Sequence, residues 1–212
     1  EPKLTWLQTR LDLDAAQLRK IVVRYPYLLL KSVESMDSRL DWLQRRLGLD
    51  EAGLRKMVLS LPSLFNYSVE DNLAPTLEWL QTRLDLDDAG LRKIFLTLPA
   101  LFNYSVEVNL APKLDFLARE IGLSRAELRD WVVKNPSCLG YSLASRYRPR
   151  IEACRAAGVD TKRVLSYGSR ADEIFCEKIG IAPEALVAAR ESVLSVSVLI
   201  NLPDDADDGL DV

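Results

Sequence analysis

The 212-residue chain contains no histidine. That removes the commonest metal ligand and the commonest general base, and so counts against hydrolase and zinc chemistry without excluding every enzyme. Cysteine is scarce: Cys138, Cys154 and Cys176 are 16 and 22 residues apart, which matches no zinc or redox motif. An odd count with no close pair fits a reducing compartment and buried thiols. There is no Gly-rich phosphate loop, and the carboxylates are dispersed along the chain as caps and surface groups are. Apolar runs are short, as in Leu28-Leu29-Leu30, and none approaches the ~20 residues that a membrane span needs. No leader segment is visible. The chain opens at Glu1-Pro2 without an initiator Met and reads as a piece of a longer one, so the missing leader says nothing about compartment. Catalytic residues, metal ligands and cofactors are therefore not expected. What remains is an ordinary globular composition, 48% hydrophobic and 28% charged, which is enough to build a core.

The primary signal is an internal repeat. Pro26, Pro62, Pro99 and Pro136 are separated by 36, 37 and 37 residues. Trp6, Trp42, Trp79 and Phe116 keep the same separations, as do Leu18, Leu54, Leu91 and Leu128, and Ser32, Ser68, Ser105 and Ser142. A fifth unit opens at Pro149-Arg150-Ile151 and degenerates, as a terminal repeat that must cap an apolar face would.

Each unit reads as two helices and a turn. Helix A carries Leu77, Trp79 and Leu84 as an apolar stripe. Pro75 and Pro112 suit its first turn, where a missing N–H costs nothing. Asp14, Asp50, Asp87, Ser124 and Asp160 stand where the N-cap of helix B belongs. Helix B then runs to the proline column, because a proline disfavours helix in the residue before it. A short turn of tighter helix follows, and the serine column starts the return to the next helix A. The architecture predicted is all-α, a right- or left-handed superhelical solenoid of 36–37-residue repeats, each with two helices and a short 3-10 turn. The repeats occupy residues 1–183. Residues 184–212 are expected to form a C-terminal helix and an acidic tail, Asp204-Asp205-Ala206-Asp207-Asp208, that is partly disordered or a solvated cap.

One segment carries the pattern most fully: Pro112-Lys113-Leu114-Asp115-Phe116-Leu117, then Gly122, then Leu128 to Pro136, Leu139 and Ser142. This pattern resembles the mitochondrial transcription termination factor (mTERF) family over roughly residues 2–180. The resemblance implies a nuclear-encoded, organelle-targeted helical-repeat protein of the mitochondrion or chloroplast, acting as a monomer without catalysis. It also implies binding to nucleic acid, double-stranded DNA before RNA, in organelle gene expression such as transcription termination. RNA binding in processing or ribosome assembly is a further alternative. Tetratricopeptide and ankyrin signatures are missing, the second being impossible without histidine.

Charge qualifies this reading. The net charge is −3, but residues 184–212 hold one arginine against seven acids, and residues 2–183 hold 27 basic and 23 acidic side chains. Helix A shows acids outward: Asp41, Glu78, Asp115 and Glu152. Helix B shows basic pairs, Arg19-Lys20, Arg55-Lys56 and Arg92-Lys93, reduced to Arg129-Asp130. Stacked helices ~8–10 Å apart would align these pairs into a ladder. Positive side chains in such a row could follow a phosphate backbone by displacing its counterions. The expected nucleic-acid contacts are Lys20, Arg55, Lys56, Arg92, Lys93, Arg129 and Lys134, with a second patch at Arg146, Arg148 and Arg150.

Each of these has a plainer reading. Arg55 and Arg92 could pair with Glu51 and Asp88 one helical turn away. The lysines have Ala16, Ala52 and Ala89 at that spacing and lack such a partner. The three arginines of the second patch could meet Asp172 or Glu173. The Trp column reads as core, Tyr67, Tyr104 and Tyr141 as packing between repeats, and Asn66 and Asn103 as turn residues. The acidic helix A layer leaves open a protein-binding scaffold as the competing function.

Overall fold

A computed structural model describes residues 2–200, with side chains through residue 195. The expected acidic tail, Asp204 to Asp208, lies outside the described residues. Every regular element among them is helical.

The described residues form two compact units, divided between Tyr104 and Ser105. In the first, helix A is α1 (Pro2–Leu11), α3 (Val33–Leu47) and α5 (Ala74–Leu84), and helix B is α2 (Ala15–Arg24), α4 (Glu51–Ser60) and α6 (Asp88–Thr97). The 3-10 turns Pro26–Leu30, Pro62–Asn66 and Pro99–Asn103 follow the B helices. In the second unit, α7 (Ala111–Ile121) and α8 (Arg125–Lys134) complete one repeat with the turn Pro136–Gly140. The fifth repeat keeps its helix A, α9 (Arg148–Ala156). Its helix B shrinks to a 3-10 turn, Thr161–Arg163, and α10 (Val164–Tyr167). Helices α11 (Asp172–Ile179) and α12 (Pro183–Ile200) close this unit, with α12 packed on α9.

The helices start where side chains can satisfy their first N–H groups. Asp14, Asp50, Asp87 and Ser124 accept from the backbone of Gln17, Gly53, Gly90 and Glu127 at 2.8, 2.7, 2.7 and 3.2 Å. Asp160 accepts from Lys162 at 2.9 Å, and so caps the 3-10 turn instead of a full helix. The serine column caps the return to helix A, as in Ser68 with the N–H of Asp71 at 3.1 Å. Helix A ends at a left-handed residue: Asp12 (φ 48°), Gly48 (φ 58°), Asp85 (φ 54°), Gly122 (φ 70°) or Gly158 (φ 66°).

Unlike α3, helices α5, α7 and α9 are each preceded by a wide π-type turn: Val69–Leu73, Val106–Leu110 and Leu143–Tyr147. In each, an N–H reaches five residues back to the serine carbonyl: Leu73 to Ser68 at 3.0 Å, Leu110 to Ser105 at 3.1 Å and Tyr147 to Ser142 at 3.2 Å.

The core follows the apolar stripe. Leu40, Leu43 and Leu47 of α3, with Leu54, Met57 and Val58 of α4, are at most 1% exposed. Fully burying each such side chain contributes about 1.5–3 kcal/mol. Trp6, Trp42 and Trp79 are half-buried, while the neighbouring Leu7, Leu43 and Leu80 are fully buried. The tyrosines tie successive 3-10 turns together: Tyr25 donates its hydroxyl to Asn66 Oδ1, and Tyr67 to Asn103 Oδ1.

Candidate nucleic-acid interface

The basic pair on helix B divides into two roles. Arg55 is half-buried and points back at the preceding helix A. Its Nε donates to Leu11 O at 2.7 Å and its Nη2 to Asp12 at 2.8 Å. Arg92 repeats this one unit later, donating to Leu47 O at 2.6 Å. Both thereby satisfy a carbonyl that the end of a helix leaves without a partner. The close approach needs a left-handed residue with little or no Cβ in the way. A Cβ on Gly48 would sit 2.6 Å from Arg92 Nη2. At Asp12 the side chain instead becomes the second acceptor.

The expected pairing with acids of the same helix does not form. Glu51 accepts from Arg10 at 3.4 Å and Gln44 at 3.0 Å, and Asp88 from Gln81 at 3.3 Å, with Arg46 at 3.8 Å. Arg10 also holds Asp37 and Asp41 at 2.9 and 2.7 Å. Partial burial would lower its pKa, but these carboxylates outweigh that and raise it. The outward acids of helix A are thus partly consumed by arginines of the adjacent repeat.

The lysines behave differently. Lys20, Lys56 and Lys93 are exposed, and their side chains make no hydrogen bond or ion pair to any described residue. They hold one repeat position on α2, α4 and α6, which pack in succession. The structure therefore aligns three uncommitted cations along one layer of the first unit.

In the second unit the expected cations scatter. Lys134 is exposed and has no described partner. Arg129 is half-buried and bonds Asp130 at 2.9 Å. Arg146 stacks over Tyr141 at 4.4 Å and reaches Ser169 O at 3.3 Å. Arg148 stacks over Phe116 at 4.7 Å. Arg150, expected at the surface, has instead a fully buried side chain. It bonds Gly168 O at 2.5 Å, Arg170 O at 2.8 Å and Asp172 at 2.7 Å, and lies over Phe175 at 4.6 Å. Burial, partly offset by Asp172, lowers its pKa. Asp172 also accepts from Arg190 at 2.6 Å. Burial would raise the carboxyl, but Arg190 and Arg150 together bring it below its usual range. Arg150 is thus committed to fastening α9 to the closing helices.

Arg150 belongs to a column that reading for surface charge overlooked: Lys3, Arg39, Thr76, Lys113 and Arg150, one repeat apart on helix A. Lys3 donates to Leu29 O at 2.6 Å, Arg39 to Phe65 O at 2.8 Å and Lys113 to Leu139 O at 2.8 Å. Each acceptor lies 26 residues ahead, at the same place in a 3-10 turn. In the third repeat, where Thr76 is too short, Asn72 Nδ2 reaches Phe102 O at 3.4 Å instead. The sequence signal was the periodicity of the column itself.

The cysteines are buried and free, and burial pushes all three thiols up. Among the described residues no group of His, Cys, Asp and Glu side chains could hold a metal, and no helix is long and apolar enough to cross a membrane.

Paired helices, a proline-led 3-10 turn and a repeating fastener define an all-α helical-repeat protein. The mTERF family model matches residues 3–169, and the chain belongs to that family. A search of curated proteins gave no match. The family consists generally of non-enzymatic, organellar helical-repeat proteins that bind nucleic acid.

Proposed function

We propose that this chain is a non-catalytic, monomeric binder of double-stranded DNA in a mitochondrion or chloroplast, acting in transcription termination or its regulation. The observation that carries this reading is the row Lys20, Lys56 and Lys93, exposed on successive helices with no partner among the described residues. The arginines beside Lys56 and Lys93 satisfy helix ends, so these lysines remain the groups able to displace phosphate counterions. Lys134, Arg146 and Arg148 supply a second set, in which the two guanidiniums stack on Tyr141 and Phe116. A row of this kind meets the nucleic-acid backbone, and phosphate contacts position a protein without reading sequence.

The test is an anisotropy titration of a labelled duplex, and of a single-stranded RNA, at several salt concentrations. Duplex affinity should fall steeply with salt. Replacing Lys20, Lys56 and Lys93 by Gln should flatten the log–log slope by about 0.9 for each phosphate that is no longer neutralised. Absence of duplex binding at ~50 mM salt, or an unchanged slope in the triple variant, overturns the reading. Tighter binding of the single strand would replace duplex DNA with RNA.

A further inference from the structure

We infer that the outer face of α2 is a docking surface for one more helical hairpin, stacked in the register that α1 and α2 use against α4. The inference goes beyond nucleic-acid binding: the face borders the lysine row at Lys20 but is carried by Arg19 and Val23.

The first repeat exposes what its copies within the same unit cover. Val23 is 71% exposed, whereas Leu59 and Leu96, its equivalents, are half-buried. Leu96 lies against the preceding helix B, since a Cβ built on Gly53 would sit 3.5 Å from its Cδ2. Arg19 stands in the column of Arg55 and Arg92, yet it is exposed and bonds no described residue. Between them lies an open depression of about 530 Å³ lined by Ala15, Ala16, Arg19, Lys20 and Val23.

A terminal repeat that ends a stack needs a polar outer face. This face is more apolar than the corresponding interior positions. Tyr27 (65% exposed) replaces Ser63 and Ala100, and Leu30 (79% exposed) replaces Asn66 and Asn103. Segment 15–31 also carries Arg19, Lys20, Arg24 and Lys31 without one acid. An exposed apolar strip rimmed by one sign of charge marks an interaction site.

The established interface specifies the occupant. Its first helix must end beside Arg19 with an open carbonyl, as Leu11 and Leu47 do for Arg55 and Arg92. A glycine or an acid in the left-handed position should follow, as Gly48 and Asp12 do. Its second helix needs a small residue where Gly53 stands, to receive Val23. Lys56 and Lys93 stay exposed beneath stacked hairpins, so filling the face leaves the lysine row open.

The experiment joins a copy of residues 38–74, which carries all three features, directly before Pro2 of the full chain. Hydrogen exchange and thermal unfolding are then compared with and without Arg19→Ala and Val23→Asp. In the extended chain the α2 amides should exchange at least about tenfold more slowly. Each substitution should lower Tm by a few degrees there, about 2–4 °C per unit of stability lost for a chain of this size. In the unextended chain both should be near neutral. Equal effects in both chains, or unchanged exchange, overturns the inference. Concentration-dependent dimerisation of the unextended chain, abolished by Val23→Asp, would make a second copy the occupant and overturn it as well.

Discussion

Lys113 Nζ donates to Leu139 O at 2.8 Å from a side chain that is 1% exposed, so a lysine here works as an internal fastener. It also holds Asn109 Oδ1 at 2.9 Å. The cation spans from helix A to the turn after helix B, the job that Arg39 performs in the second repeat. Removing one partner of a buried bond strands the other, which costs about 1–3 kcal/mol. Lys113→Met keeps the volume and loses the bonds. It should lower the unfolding free energy by an amount in that range, read as a lower urea midpoint with an unchanged m-value. A midpoint equal to the parent's would show that the bond contributes nothing net.

The division between arginines and lysines on helix B can be checked by separating stability from binding. Arg92→Ala leaves Leu47 O at a helix end and removes a charge-assisted bond worth about 1.5–3 kcal/mol, toward the lower end because Arg92 is half-buried. Chemical denaturation should show that loss, while the salt slope of DNA binding stays as it was. Lys93→Ala should do the reverse. A large slope change for Arg92→Ala would place that guanidinium on the phosphate after all.

Acid should weaken the second unit through Glu127. The N–H of Ser124, its hydroxyl and then Lys162 at 3.3 Å hold this carboxyl down at about 2, below its usual 4.5. A depressed pKa gives stability that is complete above the unfolded value and lost as pH falls toward the folded one. Glu127→Gln keeps an acceptor for Ser124 and removes the charge. The variant should therefore be less stable than the parent above pH 4.5. The two should converge as pH drops to about 2, measured by thermal melts across that range. A constant gap down to that pH would assign the effect to packing.

The architecture was legible because several columns repeat at one spacing. A proline ends helix B, an Asp or Ser starts it, and leucines every three or four residues bury one face, so each local preference points to the same fold. The binding candidates were only partly legible. Arg55 and Lys56 are adjacent and carry the same charge, and one of them satisfies a helix end while the other faces solvent. The difference depends on which side of α4 meets α1, a tertiary fact. Arg150 misled for a related reason. Three arginines in five residues look like a surface patch, yet helical geometry sends successive members, two residues apart, to different faces, and its column partners Lys113 and Arg39 were already facing inward.

The one-residue difference between repeats has its own physical content. From Ser32 to Trp42 there are ten steps, and from Ser68 to Trp79 eleven. The extra residue lies in the π-type turn Val69–Leu73, just before Pro75. The same turn precedes Pro112 and Pro149, each time adding the five-residue bond to a four-residue one at the serine carbonyl, whereas α3 has Ser38 there and meets Ser32 O through the four-residue bond of Met36 N–H. In a regular helix a proline ring strikes the carbonyl four residues back, at about 3 kcal/mol or more. Adding a five-residue reach before the proline widens that turn. Deleting Asp71 should therefore be costly by itself, lowering Tm by several degrees for a chain of this length. Deleting Asp71 together with Pro75→Ser should recover most of the loss by giving α5 the continuous form of α3. If the double variant melts as low as the single deletion, the extra residue serves something other than the proline.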